Sequence, residues 1–101
     1  MKVINNIEFN EITAKGLVVV DFFANWCGPC KMLTPVLEEL DEQLDNVTFV
    51  KVDVDQEEGL ARKYGIFSIP HMIIFKDGKA VDQITGFTSK DALLEKINPL
   101  L

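Results

Sequence analysis

Only two cysteines, one histidine and one tryptophan occur among the 101 residues. Two cysteines cannot build the multi-bridge framework of a small secreted fold. Zinc asks for four ligands, and beyond Cys27, Cys30 and His71 no further Cys or His exists, which argues against an intrachain zinc site and leaves the metal expectation at none. Basic residues are also scarce: 10 Lys and Arg against 16 Asp and Glu give a formal charge of -6. A nucleic-acid partner needs clustered cations to release counterions, so none is expected. Glycine and proline number only 6 and 4, too few for a collagen-like or low-complexity chain. Long apolar runs are missing as well. Asp21 interrupts Leu17 to Val20, and Lys76-Asp77 follow Ile73 to Phe75, so no stretch approaches the roughly 18 residues of a membrane helix. The N-terminal residues lack an apolar signal core, and a cytoplasmic location without membrane contact is the expectation.

With 48% hydrophobic and 26% charged residues, the chain can bury roughly 65% of its unfolded surface around one core. Residues 1–101 show no repeat or linker and are expected to form a single domain. The nearly continuous apolar run 17–23 predicts a central strand covered on both faces. Leu33, Val36, Leu37, Leu40 and Leu44 then recur at helical spacing, with Pro35 inside the pattern as a kink. Residues 47–53 predict a second internal strand, and 57–64 a short helix. Residues 71–75 and 79–84 flank Asp77-Gly78, a two-residue hairpin signal. Ser89 and Asp91 open a last helix carrying Ala92, Leu93, Leu94 and Ile97 inward. A helix over about 9–15 and an edge strand near Val3-Ile4 complete an α/β fold: a mixed sheet of about five strands with helices on both faces.

The chemistry concentrates in Trp26-Cys27-Gly28-Pro29-Cys30-Lys31, between the end of the central strand and the start of the amphipathic helix. Pro29 suits a first helical turn, and Cys27 falls where unpaired N–H groups and the helix dipole favour an anion. Cys27 is therefore the candidate thiolate. Cys30, one turn on and more buried, is the candidate resolving thiol. A purely structural disulfide is a poor alternative, because closing so short a loop contributes only about 2 kcal/mol. Inert buried cysteines are a second alternative, disfavoured because strand-to-helix turns are commonly exposed. Asp21 interrupts an apolar strand and Lys51 sits in the neighbouring one. If Asp21 is buried, desolvation raises its pKa and it can accept a proton from Cys30; otherwise it is a strand-end carboxylate facing solvent.

Residues 20–32, Val20-Asp21-Phe22-Phe23-Ala24-Asn25-Trp26-Cys27-Gly28-Pro29-Cys30-Lys31-Met32, closely resemble the active-site signature of the thioredoxin family. The resemblance extends in order along the chain through Pro35, Lys51-Val52-Asp53-Val54-Asp55, Tyr64-Gly65-Ile66, Ile69-Pro70 and Gly86. It implies the thioredoxin fold, a central mixed five-stranded sheet flanked by four helices, and a protein-disulfide reductase. Cys27 would be the nucleophile, Cys30 the resolving thiol, and Asp21 assisted by Lys51 the proton acceptor. Ile69, before a cis Pro70, would pair its backbone with a client, while Trp26, Gly28, Pro29, Pro70 and Gly86 form an apolar rim. From the residues alone, Ile69 and Phe67 fit the core equally well. The resemblance also implies electrons from a thioredoxin reductase. The client classes implied are ribonucleotide reductase, peroxiredoxins and methionine sulfoxide reductases; no cofactor beyond the Cys27-Cys30 pair is expected, and the chain is expected to be a monomer.

For a thiol pKa about 1.5 below the free value, for which thioredoxin is itself the reference case, thiolate at pH 7 rises roughly fifteenfold. Nucleophilicity falls about fivefold, leaving only about a threefold gain. Intramolecular resolution by Cys30 has to supply the rest. Two positions depart from the family pattern. Phe23 replaces a usual Trp, and His71 follows Pro70 where Thr is common, so His71 is either a polar strand residue or an imidazolium that stabilises the Cys27 thiolate. An oxidant or isomerase, a non-redox binding module, and a cluster shared across a dimer are the competing functions.

Overall fold

The computed structural model describes residues 1–101. Strand β2, Leu17–Phe23, is buried along its whole length, as expected of a strand covered on both faces. It pairs in parallel with β3, Val47–Asp53, in a register running from Leu17 opposite Val47 to Phe23 opposite Asp53. The short β1, Lys2–Val3, lies parallel on the far side of β3. On the other flank β4, His71–Lys76, runs antiparallel to β2, and β5, Lys79–Thr85, closes the sheet in the order β1-β3-β2-β4-β5. The β4–β5 turn has φ of 48° at Asp77 and 88° at Gly78. Two positive φ values in succession are what the Asp-Gly pair supplies to a hairpin.

The two-residue alternation of β2 divides the core between the sheet's faces. Leu17 and Val19 pack with Leu33, Leu37 and Leu40 of α2, Gly28–Gln43, and with Leu93 and Ile97 of α4, Lys90–Ile97. Val18, Val20 and Phe22 face the other way, onto Phe9 of α1, Asn6–Thr13, and Leu60 of α3, Glu58–Lys63. There Phe9 and Tyr64 each meet the Phe75 ring edge-on, at 5.5 and 5.8 Å between centroids. Helix α4 is capped by Ser89, whose Oγ accepts from the Ala92 N–H, and passes into a single 3₁₀ turn over Asn98–Leu100.

Helix α1 begins three residues before the position expected from its apolar pattern. Asn5 caps it through the N–H groups of Ile7 and Glu8, and Glu8 returns a bond to the Asn5 N–H. This reciprocal capping box sets the start more firmly than hydrophobic spacing does. Two features that favour a bend meet in α2: Pro35 has no N–H to offer, and the Thr34 hydroxyl donates back to the Cys30 carbonyl at 3.2 Å. No helix is long and apolar enough to cross a membrane.

Candidate active site

Central strand β2 delivers the chain directly to the first turn of α2, and that turn carries both cysteines. Cys27 and Cys30 are joined by a disulfide, with Cα atoms 5.3 Å apart. Cys27 is the N-cap of α2 in extended conformation, and its Sγ accepts the Cys30 N–H at 3.2 Å. A thiolate formed there gains that donor and the positive end of a 16-residue helix. Cys30 is the deeper of the two, 2% exposed against 5% for Cys27. The two cysteines are thus covered although the turn around them is open, its exposed residues being Asn25, Trp26, Gly28 and Pro29.

The rim residues converge from three segments. Cys27 Sγ lies 3.8 Å from the Ile69 carbonyl oxygen. The Ile69–Pro70 peptide is cis, and the Gly86 N–H donates to the Pro70 carbonyl at 2.7 Å, which brings the end of β5 to the same edge. Gly86 has φ of 87°, a conformation that disfavours any side chain. Trp26 is 71% exposed, yet its indole N–H is held by Asp55 Oδ2 at 2.8 Å. Asp55 is in turn seated by its own N–H on Asp53 Oδ1. Phe67 is almost fully exposed, which removes it from the core; Ile69 is half-buried and packs on the cysteine cluster.

Two residues before Phe23 of the cysteine cluster, and on the same strand face, Asp21 has 0% of its surface exposed. The solvent-facing alternative is therefore excluded. Strand alternation puts Asp21 between Val19, in the α2-side core, and Phe23, in the cysteine cluster. Neither carboxyl oxygen has a hydrogen-bond partner. Burial pushes its pKa up to about 7, against a smaller opposing pull from Lys51. Lys51 is the register partner of Asp21 on β3, but its ammonium is bound elsewhere. It donates to Thr34 Oγ1 at 3.2 Å and stands 4.2 Å from the centre of the Phe23 ring. Phe23, one of the two departures from the family pattern, thereby offers Lys51 a cation–π face. A cavity of about 70 Å³ between Cys30, Lys31, Thr34, Lys51 and Phe23 opens beside them, roomy enough for water.

His71 does not join this group. It shares the face of Ile73 and Phe75, across the sheet from Asp21. There its Nε2 pairs with Gln83 Oε1 at 2.8 Å and its Nδ1 with Thr85 Oγ1 at 3.4 Å. The strand alternation that buries Asp21 turns the imidazole away, so the polar-strand reading of His71 holds. Sequence reasoning missed Thr34 and Asp55. Thr34, one helical turn beyond Cys30, carried a usable signal; Asp55 entered only as the last residue of the Lys51–Asp55 stretch that resembles the family. No group of three or more His, Cys, Asp or Glu is placed to hold a metal ion.

The Thioredoxin family model matches residues 1–99. A thioredoxin of Chlamydia caviae is 51% identical over 98 residues, covering 97% of this chain and 96% of that protein. Among solved structures, Plasmodium falciparum thioredoxin superposes with a TM-score of 0.90 at 38% identity, covering 99% of this chain and 98% of that one. A chain from a structure addressing the thiol resolving mechanism in yeast mitochondrial 1-Cys peroxiredoxin via glutathione/thioredoxin systems gives 0.88 at 34% identity, over 98% of this chain and 93% of that one. With the disulfide at the N-terminus of α2 and the match running through nearly every residue, the chain belongs to the thioredoxin family, oxidoreductases that act on disulfides.

Proposed function

We propose that residues 1–101 work as one thioredoxin domain in which Cys27 is the nucleophile, Cys30 the resolving thiol and Asp21, assisted by Lys51, the proton acceptor. The reduced chain attacks a client disulfide through the Cys27 thiolate, forming a mixed disulfide and releasing the first client thiolate. Asp21 then takes the Cys30 proton, and Cys30 attacks Cys27 Sγ. This expels the second client thiolate, so that two electrons pass to the client and the Cys27–Cys30 disulfide forms. A base with a pKa of about 7 is half ionised at neutral pH, the condition for accepting and returning a proton. Trp26, Gly28, Pro29, Ile69, Pro70 and Gly86 form the client rim, with the Ile69 backbone pairing to the client chain.

The observation that carries this reading is the Cys27–Cys30 disulfide at the α2 N-terminus, in a fold that also holds a buried, unpartnered carboxyl at Asp21. The chemistry asks for no cofactor beyond that dithiol. A thioredoxin reductase supplies the electrons to a monomer working in the cytoplasm. Peroxiredoxins, ribonucleotide reductase and methionine sulfoxide reductases are the client classes. The test is trapping: Cys30→Ser should accumulate a covalent mixed disulfide with an oxidised client through Cys27, and Cys27→Ser should accumulate none. Trapping by Cys27→Ser alone would reverse the assigned roles, and equal trapping by both variants would abolish them.

A further inference from the structure

We propose that Thr34 is a positioning residue for the dithiol chemistry: its hydroxyl bridges the Cys30 carbonyl and the Lys51 ammonium, and so holds that ammonium off the Asp21 carboxyl. The hydroxyl has one proton and two lone pairs. It donates to Cys30 O at 3.2 Å and accepts from Lys51 Nζ at 3.2 Å, which uses the proton and one lone pair. The Phe23 ring fixes the ammonium from a second side at 4.2 Å. Asp21 is the in-register neighbour of Lys51, yet both its oxygens are left without a partner. Lys51 therefore acts on Asp21 only through space, and Thr34 decides from how far.

On β3, Asp53 shares the face of Lys51 and Asp21, in register with Phe23, and its Oδ1 accepts the Asp55 N–H. Met72, the register partner of Asp21 on β4, is apolar, and α4 offers Leu93 and Ile97 to that face. Lys90 and Lys96 of α4 are paired with Glu39 and Asp82 at the surface. From α2 come the two cysteines and, at the mouth of the small cavity, Lys31. With the hydroxyl removed, the ammonium is free to turn to its register partner Asp21, whose oxygens are both unpaired, whereas Asp53 already accepts the Asp55 N–H. At an effective dielectric constant of about 20, shortening a charge separation from about 6 to about 4 Å favours the carboxylate by roughly tenfold.

This inference rests on the proton-acceptor role given to Asp21, but its test does not. In the oxidised chain neither cysteine titrates, and the Asp21 carboxyl can be followed by carbon-13 NMR across pH 4 to 10. Thr34→Val, which keeps the shape and removes the hydroxyl, should lower the Asp21 midpoint by about one pH unit, and Thr34→Ser should restore it. A midpoint unmoved or raised in Thr34→Val would overturn the proposal, as would a Thr34→Ser variant that behaves like Thr34→Val. Asp21→Asn, assayed alongside for the rate of mixed-disulfide resolution, separates the two ideas. An unchanged rate there overturns the acceptor role of Asp21, whereas the midpoint decides the role of Thr34 in either case.

Discussion

Replacing Asp21 with Asn should stabilise the oxidised protein, and by an amount that depends on pH. In an unfolded chain this carboxyl ionises near 3.8; in the fold its pKa is about 7, because burial opposes the charge more strongly than Lys51 favours it. Between those two values the native state retains a proton that the unfolded chain has released, so the stability contribution falls as pH rises. At about 1.36 kcal/mol per pH unit over a gap of about three units, the loss reaches roughly 4 kcal/mol and levels off above pH 7. Asn keeps the shape and a buried polar group but has no charge to desolvate. Guanidinium unfolding of both proteins across pH 4 to 9 gives the comparison. With a slope of about 3 kcal/mol per molar, the midpoints should nearly coincide at pH 4 and differ by about 1 M at pH 9, with Asn the higher. A difference that is constant across the range, or an Asn variant that is the less stable at pH 9, would refute the reasoning.

The rim glycines should behave unequally. Gly86→Ala should cost about 1 kcal/mol in urea unfolding, since φ is 87° there although a Cβ would meet nothing within 4 Å; Gly28→Ala, equally open but without a positive φ, should cost much less. Asn5→Ala removes the acceptor for two orphan N–H groups of α1 and should lower stability by about 1 kcal/mol, with hydrogen exchange accelerated first at Ile7 and Glu8.

Much of the architecture could be read directly. The run 17–23 and the hairpin at Asp77-Gly78 carry their structural meaning locally, through an apolar run that needs two covered faces and a turn that needs two positive φ values. The cysteine pair was equally legible, because Pro29 and the following amphipathic pattern place Cys27 at a helix start. Asp21 was harder. A carboxylate in an apolar strand is compatible with a strand end in water, and only its resemblance to family members, then the observed burial, decided between the readings. The position of Lys51 was not legible, since its choice of Thr34 and Phe23 over Asp21 depends on where helix α2 lies across the sheet. His71 illustrates the same limit. Next to Pro70 in sequence, it is turned to the opposite face by the two-residue period of the strand it begins.

Trp26 is the only tryptophan, it adjoins Cys27, and its indole N–H is held by Asp55, so its fluorescence reports the state of the dithiol. Equilibrating the protein in graded thiol–disulfide buffers and following that signal measures the reduction potential of the Cys27–Cys30 couple. A disulfide reductase requires one reversible two-electron transition with a midpoint well below the roughly −180 mV of a disulfide isomerase. A midpoint at or above that value, or no transition at all, would contradict the account.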